Sequence, residues 1–261
     1  MRYDVITLFP ELFGPFLNQG INRRAYASGL VDVRLWNPRD FADGNYRRVD
    51  DRPFGGGPGM VMQPEPLYRC WQAIRAERAE AVPSPTVLFS PLGQRLSHPV
   101  VAAQAEGPGA ILVCGRYEGI DQRFIDACVD TQLSLGDFVL SGGELAALAL
   151  LDAVARLQPG VLNDAGSHQQ DSFNPALDGL LDCPHYTRPE VWQGPAGAVE
   201  VPAVLLSGHH GQIEAWRRAQ RLRTTARWRP DVLDAVRAAG ALTPQDERTL
   251  REAGDPPASK A

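Results

Sequence analysis

The stretch AILVCGRYEGID, residues 110–121, decides the fold. A short apolar run of strand length enters a turn punctuated by Gly115 and Gly119, and Asp121 then stands where it would cap a following helix. Outward from it, short apolar runs at 3–9, 31–36, 86–89 and 138–140 alternate with helix-like segments near 11–28, 64–80, 97–106, 121–129 and 144–157. That alternation predicts an α/β domain whose largely parallel sheet is covered on both faces. Ligands of such sheets sit outside the carboxyl ends of the strands. A second glycine turn, LGDFVLSGG at 135–143, lies at such an end too. Glycine there lets the backbone come close to something.

At 261 residues, 44% hydrophobic and 22% charged, the chain has ordinary globular composition and can bury a real core. The first strand-like run begins almost at Met1 with no basic segment and long apolar stretch before it, so no export signal is expected. The longest apolar stretch, LAALALL at 145–151, falls far short of the roughly 20 residues that cross a bilayer. A soluble, cytoplasmic protein with no membrane partner is expected. Cys70, Cys114, Cys128 and Cys183 form no C-x-x-C pair, which argues against a disulfide framework and a thiolate zinc site. Cys183 with His185, or His209 with His210, lacks the partner spacing of a metal site, so no metal ligand is assigned. The net charge of −5 speaks against wholesale nucleic-acid binding. A local exception lies between Ile213 and Arg229, where Arg217, Arg218, Arg221, Arg223, Arg227 and Arg229 face one acid, Glu214, with Trp216 and Trp228 interleaved. Lysine occurs only at Lys260.

After Leu157 the periodicity stops: QPGVLNDAGSHQQDSFNPALDG, residues 158–179, is rich in turn formers. The division expected is a first domain over 1–160, a flexible linker over 161–176 and a small, mostly helical C-terminal domain over 177–261. Helical patterns at 210–223, 230–240 and 243–253 fill the last, with Pro230 and Pro244 near helix starts and Gly240 ending one. The tail GDPPASKA reads as frayed.

Several residues admit both a structural and a chemical reading. Ser141 and Glu144 in VLSGGEL have capping-box spacing, yet the same turn aims free backbone N–H groups at the space above the sheet. Neither G-x-x-x-x-G-K-[ST] nor G-x-G-x-x-G is present, which favours a nucleoside without a triphosphate. No G-x-S-x-G elbow occurs. Glu118 projects from the first turn. Asp152 and Arg156 are spaced for an i,i+4 ion pair on one helix, and Asp171 reads by composition as a solvated loop acid or cap. DDRPFGGGPGM at 50–60 is either a flexible loop or a mobile cover over a site.

Taken together, VDDRPFGGGPGM (49–60), CGRYEGID (114–121), LGDFVLSGGE (135–144), DSF (171–173) and LLDCPHYTRPEVW (180–192) closely resemble the bacterial tRNA (guanine-N1)-methyltransferases of the TrmD family, in the SPOUT superfamily. The likeness runs in order from LFPELF at 8–13 through VLLSGHHGQIEAWRR at 204–218. It implies a parallel-sheet SPOUT domain with a deep trefoil knot, which no pattern of periodicity would reveal. It implies methyl transfer from S-adenosylmethionine to N1 of the guanosine immediately 3′ of the tRNA anticodon, which prevents frameshifting. By position, the implied cofactor shell is Ser90 and Pro91, then Gly115, Tyr117 and Glu118, then Leu135, Gly136, Asp137, Phe138, Val139 and Leu140 with Gly142 and Gly143. Asp171 corresponds to the general base and Arg156 to the cation near guanine O6, with Glu118 also catalytic; these roles displace the ion-pair reading of Arg156. The family implies a homodimer with sites at the subunit interface, a need for Mg²⁺ whose ligands no motif specifies, and a tRNA-facing surface at Arg217, Arg218, Arg221 and Arg223. Two departures stand out: NPALD after DSF makes a longer spacing than the family's, and His209 replaces a more familiar Asn. Two alternatives remain open at this point. One is a SPOUT methyltransferase acting on a ribose 2′-OH or an rRNA base, and the other is a non-catalytic tRNA-binding protein.

Overall fold

The structure, a computed structural model, describes residues 1–81, 83–163 and 167–252. The chain forms two compact units, Met1–Asn163 and Asp164–Ala261. In the first, the elements follow as β1 (Arg2–Ile6), α1 (Phe13–Asn18), α2 (Arg23–Ala27), β2 (Asp32–Trp36), the short strands β3 (Asp50–Asp51) and β4 (Val61–Met62), and α3 (Pro64–Arg78). Then come β5 (Thr86–Arg95), α4 (His98–Glu106), β6 (Gly109–Val113), α5 (Gln122–Cys128), β7 (Thr131–Ser134) and α6 (Glu144–Arg156).

Five strands form one sheet in the order β2-β1-β6-β5-β7, every neighbouring pair parallel. The quoted run supplies its middle strand, and all five residues of β6 are buried. Their alternation divides the core in two, as a pleated strand covered on both faces requires. Ala110 and Leu112 join Tyr3, Val5, Leu150 and Val154 on the α6 face. Ile111 and Val113 join Ile6, Leu67, Ile74 and Phe124 on the face covered by α3 and α5.

Two expectations are corrected. The apolar run at 138–140 is not a strand; it follows the fifth strand, Thr131–Ser134, and its Phe138 and Val139 are exposed. The single helix expected over 11–28 is a 3-10 turn at Pro10–Leu12 followed by α1 and α2, with Gly20 between them at φ +69.

The second unit holds 3-10 turns at Ser167–Gln170 and Pro175–Leu177, and then a hairpin of β8 (Val191–Gly194) and β9 (Gly197–Glu200). The helices α7 (Ala203–Leu206), α8 (His210–Trp228), α9 (Pro230–Ala238) and α10 (Pro244–Glu252) follow. Leu180, Leu222, Leu233 and Val236 form its core. Pro230 and Pro244 open their helices, where a missing N–H costs nothing. The hairpin was not legible in the helical reading, and α8 runs to Trp228, five residues past the expected end. The tail GDPPASKA and Lys260 lie outside the described residues, as does part of the expected linker at 164–166. No described helix is long and apolar enough to cross a membrane.

Candidate active site

At the carboxyl ends of β5, β6 and β7 the chain encloses a cavity of about 510 Å³, a size that suits a small molecule. One wall comes from an irregularity in β5: Phe89 and Gln94 both register with Leu133 of β7, so residues 90–93 are pushed out of the ladder. Ser90, Pro91 and Leu92 line the cavity from this bulge. The turn after β6 gives a second wall through Gly115, Arg116, Tyr117, Glu118, Gly119 and Ile120. The segment after β7 gives the third, through Leu135, Gly136, Phe138, Val139, Leu140, Ser141, Gly142 and Gly143. Every residue expected in the cofactor shell therefore lies on this lining except Asp137, whose exposed carboxylate pairs with Arg95 at 3.0 Å.

The glycines have an unexpected neighbour, which is the chain itself. A Cβ on Gly143 would lie 2.8 Å from Cys114 Cα, and one on Gly142 would lie 2.2 Å from Arg116 Nε. Gly143 N–H donates to the Gly115 carbonyl at 3.0 Å, and Arg116 pairs with Gly142 in an antiparallel bridge. The two turns are thus in backbone contact, and at Gly143 only a residue without a side chain admits that approach.

Arg116 fastens them, a role that spacing along the sequence does not disclose. Its Nε donates to Glu144 Oε1 at 3.1 Å, and its Nη1 donates to the Ser141 carbonyl at 3.2 Å. Its Nη2 lies 2.9 Å from Glu144 Oε2, neutralising that oxygen without the alignment of a hydrogen bond. The guanidinium also sits 4.4 Å from the centre of the Phe9 ring. Glu144 is buried and accepts a further bond from Thr7 Oγ1 at 2.9 Å. The capping-box expectation is corrected accordingly: α6 has Gly143 as its N-cap with no side-chain cap bond, because the Glu144 carboxylate is spent on Arg116 and Thr7. Asp121 does cap α5, accepting from Arg123 N–H. Under the turns, burial pushes the Cys114 thiol well up, which keeps it protonated and inert.

Tyr117 sits at φ +60, an uncommon conformation for a residue with a side chain. Burial, with the Asp50 carboxylate nearby, pushes its phenol upward, so it remains a neutral donor. Glu118 is exposed at the cavity rim, and its N–H donates to the Met60 carbonyl at 2.9 Å. Gly59 packs directly against its side chain. Arg156 ends α6, half-buried, where a cation suits the helix dipole. Asp152 on the same helix accepts from the Asn22 amide.

In the second unit, Asp171 follows the Ser167–Gln170 turn; its N–H donates to the His168 carbonyl at 3.3 Å, and its carbonyl accepts from Asn174 N–H at 3.2 Å. Of the four arginines expected to face RNA, two are held in short internal ion pairs, and a third, Arg217, lies 3.9 Å from Glu214 on the exposed helix face. Arg221 is buried against Glu214 at 2.7 Å and Asp182 at 3.4 Å, and Arg218 bonds Asp246 at 3.0 Å and Asp178 at 2.6 Å. Arg217 and Arg223 share α8 with Trp228, which is exposed under the Arg227 guanidinium. His209, the departure noted above, caps α8 by accepting from Gln212 N–H, a task an Asn side chain performs equally. Among the described residues no three His, Cys, Asp or Glu side chains converge as a metal-ligand set.

Comparison with known proteins follows the same lines. The family described as tRNA (Guanine-1)-methyltransferase TrmD matches residues 1–235. A tRNA (guanine-N(1)-)-methyltransferase of Paracidovorax citrulli is 73% identical over 252 residues, covering 96% of this chain and 97% of that protein. Proteins with the same description from a Polaromonas species and from Albidiferax ferrireducens are 66% and 68% identical, over 100% and 96% of this chain and 100% and 98% of their own lengths.

Proposed function

The chain belongs to the TrmD family of tRNA (guanine-1)-methyltransferases, and from that premise we propose how its residues share the work. The protein is a tRNA (guanine-N1)-methyltransferase, and the target we assign to it is the guanosine immediately 3′ of the anticodon. The observation that carries the reading is the cavity walled by two interlocked turns at the carboxyl ends of the sheet.

S-adenosylmethionine, when bound, supplies a methyl group already activated by its sulfonium. The cavity suits such a donor. Its lining is mainly apolar side chain and backbone, Arg116 is already neutralised by Glu144, and Glu118 offers a carboxylate to a cationic ligand. Main-chain groups of 135–140 read the adenine edge, and Ser90 and Pro91 close the opposite wall. We assign the path through these turns to the family's trefoil knot, a reading supported by the contact of Gly143 with Cys114 and Gly115.

Guanine N1 carries a proton at neutral pH, so a base must take it for the nitrogen lone pair to attack the methyl carbon. Asp171 is assigned that role, supplied by the partner in a homodimer. As the proton leaves, negative charge gathers on O6, where the Arg156 guanidinium stabilises it most in a dry site. Support for the dimer comes from apolar residues left exposed around the cavity: Leu92, Val139 at 84% exposure, and Leu145. The described residues offer Mg²⁺ no ligand set, and no step is routed through it. Arg217 and Arg223 are the arginines of α8 assigned to tRNA phosphates, which position the substrate rather than read sequence. A cytoplasmic site of action accords with a tRNA substrate.

The test is product analysis. Labelled methyl donor and an unmodified tRNA transcript are incubated with the protein and the RNA is digested to nucleosides. Label in 1-methylguanosine at the position after the anticodon is expected; label in a 2′-O-methylnucleoside, or none, rejects the reading.

A further inference from the structure

The hairpin that joins β3 to β4 ends in the most exposed aromatic side chain of the first unit. Phe54 is 100% exposed, although an apolar ring of that size gains by burial. The strands beneath it pair only as Asp50 with Met62 and Asp51 with Val61. Its far side is held firmly: Met60 and Gly119 carbonyls exchange bonds with Glu118 and Met62 N–H groups at 2.9 Å, and the Met62 carbonyl accepts from Asp121 N–H at 3.0 Å. The loop is therefore anchored on the cavity's own turn. By chain length alone, five residues keep Phe54 within about 18 Å of Gly59, which packs against Glu118.

Between the anchor and the ring, Gly55, Gly56, Gly57 and Gly59 all have positive φ, and a Cβ on the first three would meet nothing within 4 Å. Their open face leaves room beside the ring for a flat object. The neighbouring residues have matching chemistry. Tyr46 is 84% exposed with the Arg48 guanidinium 5.9 Å from its ring centre, and Arg52 is exposed two residues before Phe54. Exposed rings accompanied by guanidinium groups are the combination that holds unpaired nucleobases and their phosphates.

We propose that this hairpin, together with residues 46–49 that lead into it, is a single-stranded RNA subsite in which Phe54 stacks on an unpaired base next to the target guanine, while Arg48 and Arg52 hold adjacent phosphates. This deepens the functional reading above and rests on it. A second copy of the chain is the competing occupant; guanidinium groups flanking the ring favour nucleic acid.

The experiment compares wild type with Phe54→Ala, Phe54→Leu and Phe54→Trp in three measurements: tRNA binding by filter retention, steady-state methylation, and calorimetric titration with S-adenosylmethionine. Stacking predicts that Ala and Leu both weaken tRNA binding, by roughly 5- to 100-fold. KM for tRNA rises with them, affinity for the methyl donor is unchanged, and Trp restores binding. Arg48→Gln and Arg52→Gln each lower the salt slope of tRNA binding by about 1. Leu binding as well as wild type, or Ala within twofold of it, overturns the subsite. Dissociation of a dimer by Phe54→Ala in sedimentation equilibrium assigns the ring to a subunit interface and overturns it too. Failure of the wild-type protein to form 1-methylguanosine removes the functional reading itself, whereas methylation by wild type and Ala variant alike removes only this inference.

Discussion

Gly143→Ala probes the contact on which the cavity depends. The added Cβ would stand 2.8 Å from Cys114 Cα and 3.3 Å from Gly115 N, all of it main chain or attached directly to it, so no side chain can swing aside. Gly143 has an ordinary helical backbone at φ −79, so conformational strain does not enter and the cost is steric alone. Reaching ordinary contact near 3.4 Å requires the turns to part by about 0.6 Å. That movement also stretches the 3.0 Å bond from Gly143 N–H to the Gly115 carbonyl beyond useful range. Overpacking of this kind costs about 1–3 kcal/mol and the lost hydrogen bond about 1 kcal/mol, so a destabilisation of about 2–4 kcal/mol is expected. In a unit of this size that lowers Tm by roughly 4–16 °C. Differential scanning calorimetry reads the shift, and titration with S-adenosylmethionine reads the accompanying loss of affinity. Gly115→Ala is the control: its Cβ would meet the Ile120 side chain at 3.5 Å and that of Leu88 at 4.0 Å, both ordinary contacts, and Tm should move by no more than about 2 °C. A Gly143→Ala protein with unchanged Tm and unchanged affinity would refute the claim that interlocked turns shape the site.

Arg116→Met leaves the buried Glu144 carboxylate without its counter-charge and should cost about 3–5 kcal/mol in urea titration. Adding Glu144→Gln should recover at least half of that loss; no recovery would mean the pair is not the rivet described. In the second unit, the Arg218 guanidinium hydrogen-bonded to Asp246 holds its carboxyl at about 2, below its unfolded value. The stability it contributes is complete above pH about 4 and is lost as pH falls toward 2. Asp246→Asn should therefore flatten the acid limb of a denaturation series followed by circular dichroism; an identical limb contradicts the linkage. Asp171→Asn should reduce single-turnover methyl transfer by at least about a hundredfold with donor affinity unchanged. Undiminished transfer would remove Asp171 as the base.

The central strand was legible because burial on both faces demands an unbroken apolar run, and GAILV satisfies it. The same logic misled at 138–140, where apolar residues line a cavity and face outward instead of filling a sheet. The true strand, TQLS, is short and polar at every position but Leu133 because it lies at the sheet edge. Glycine turns announced a close approach without naming the partner, which is the opposite turn, 28 residues away for Gly115 and Gly143. Glu144 looked like a capping acid because local spacing contains no record of Thr7 or Arg116, which the fold brings to it from the segments that follow β1 and β6. Arg221 and Arg218 looked like an RNA surface for a similar reason: charge along a helix does not reveal which carboxylates will meet it. The expected cofactor shell came from family resemblance and not from pattern, and the structure gathers twelve of its thirteen members around one cavity.

Amide hydrogen exchange with and without S-adenosylmethionine examines the whole account at its root. Slowed exchange concentrated in the peptides spanning 88–92, 115–120 and 133–143 is the predicted result, with the remainder of the first unit little changed. Protection located elsewhere, or none at saturating donor, would mean that the two turns do not cradle the methyl donor.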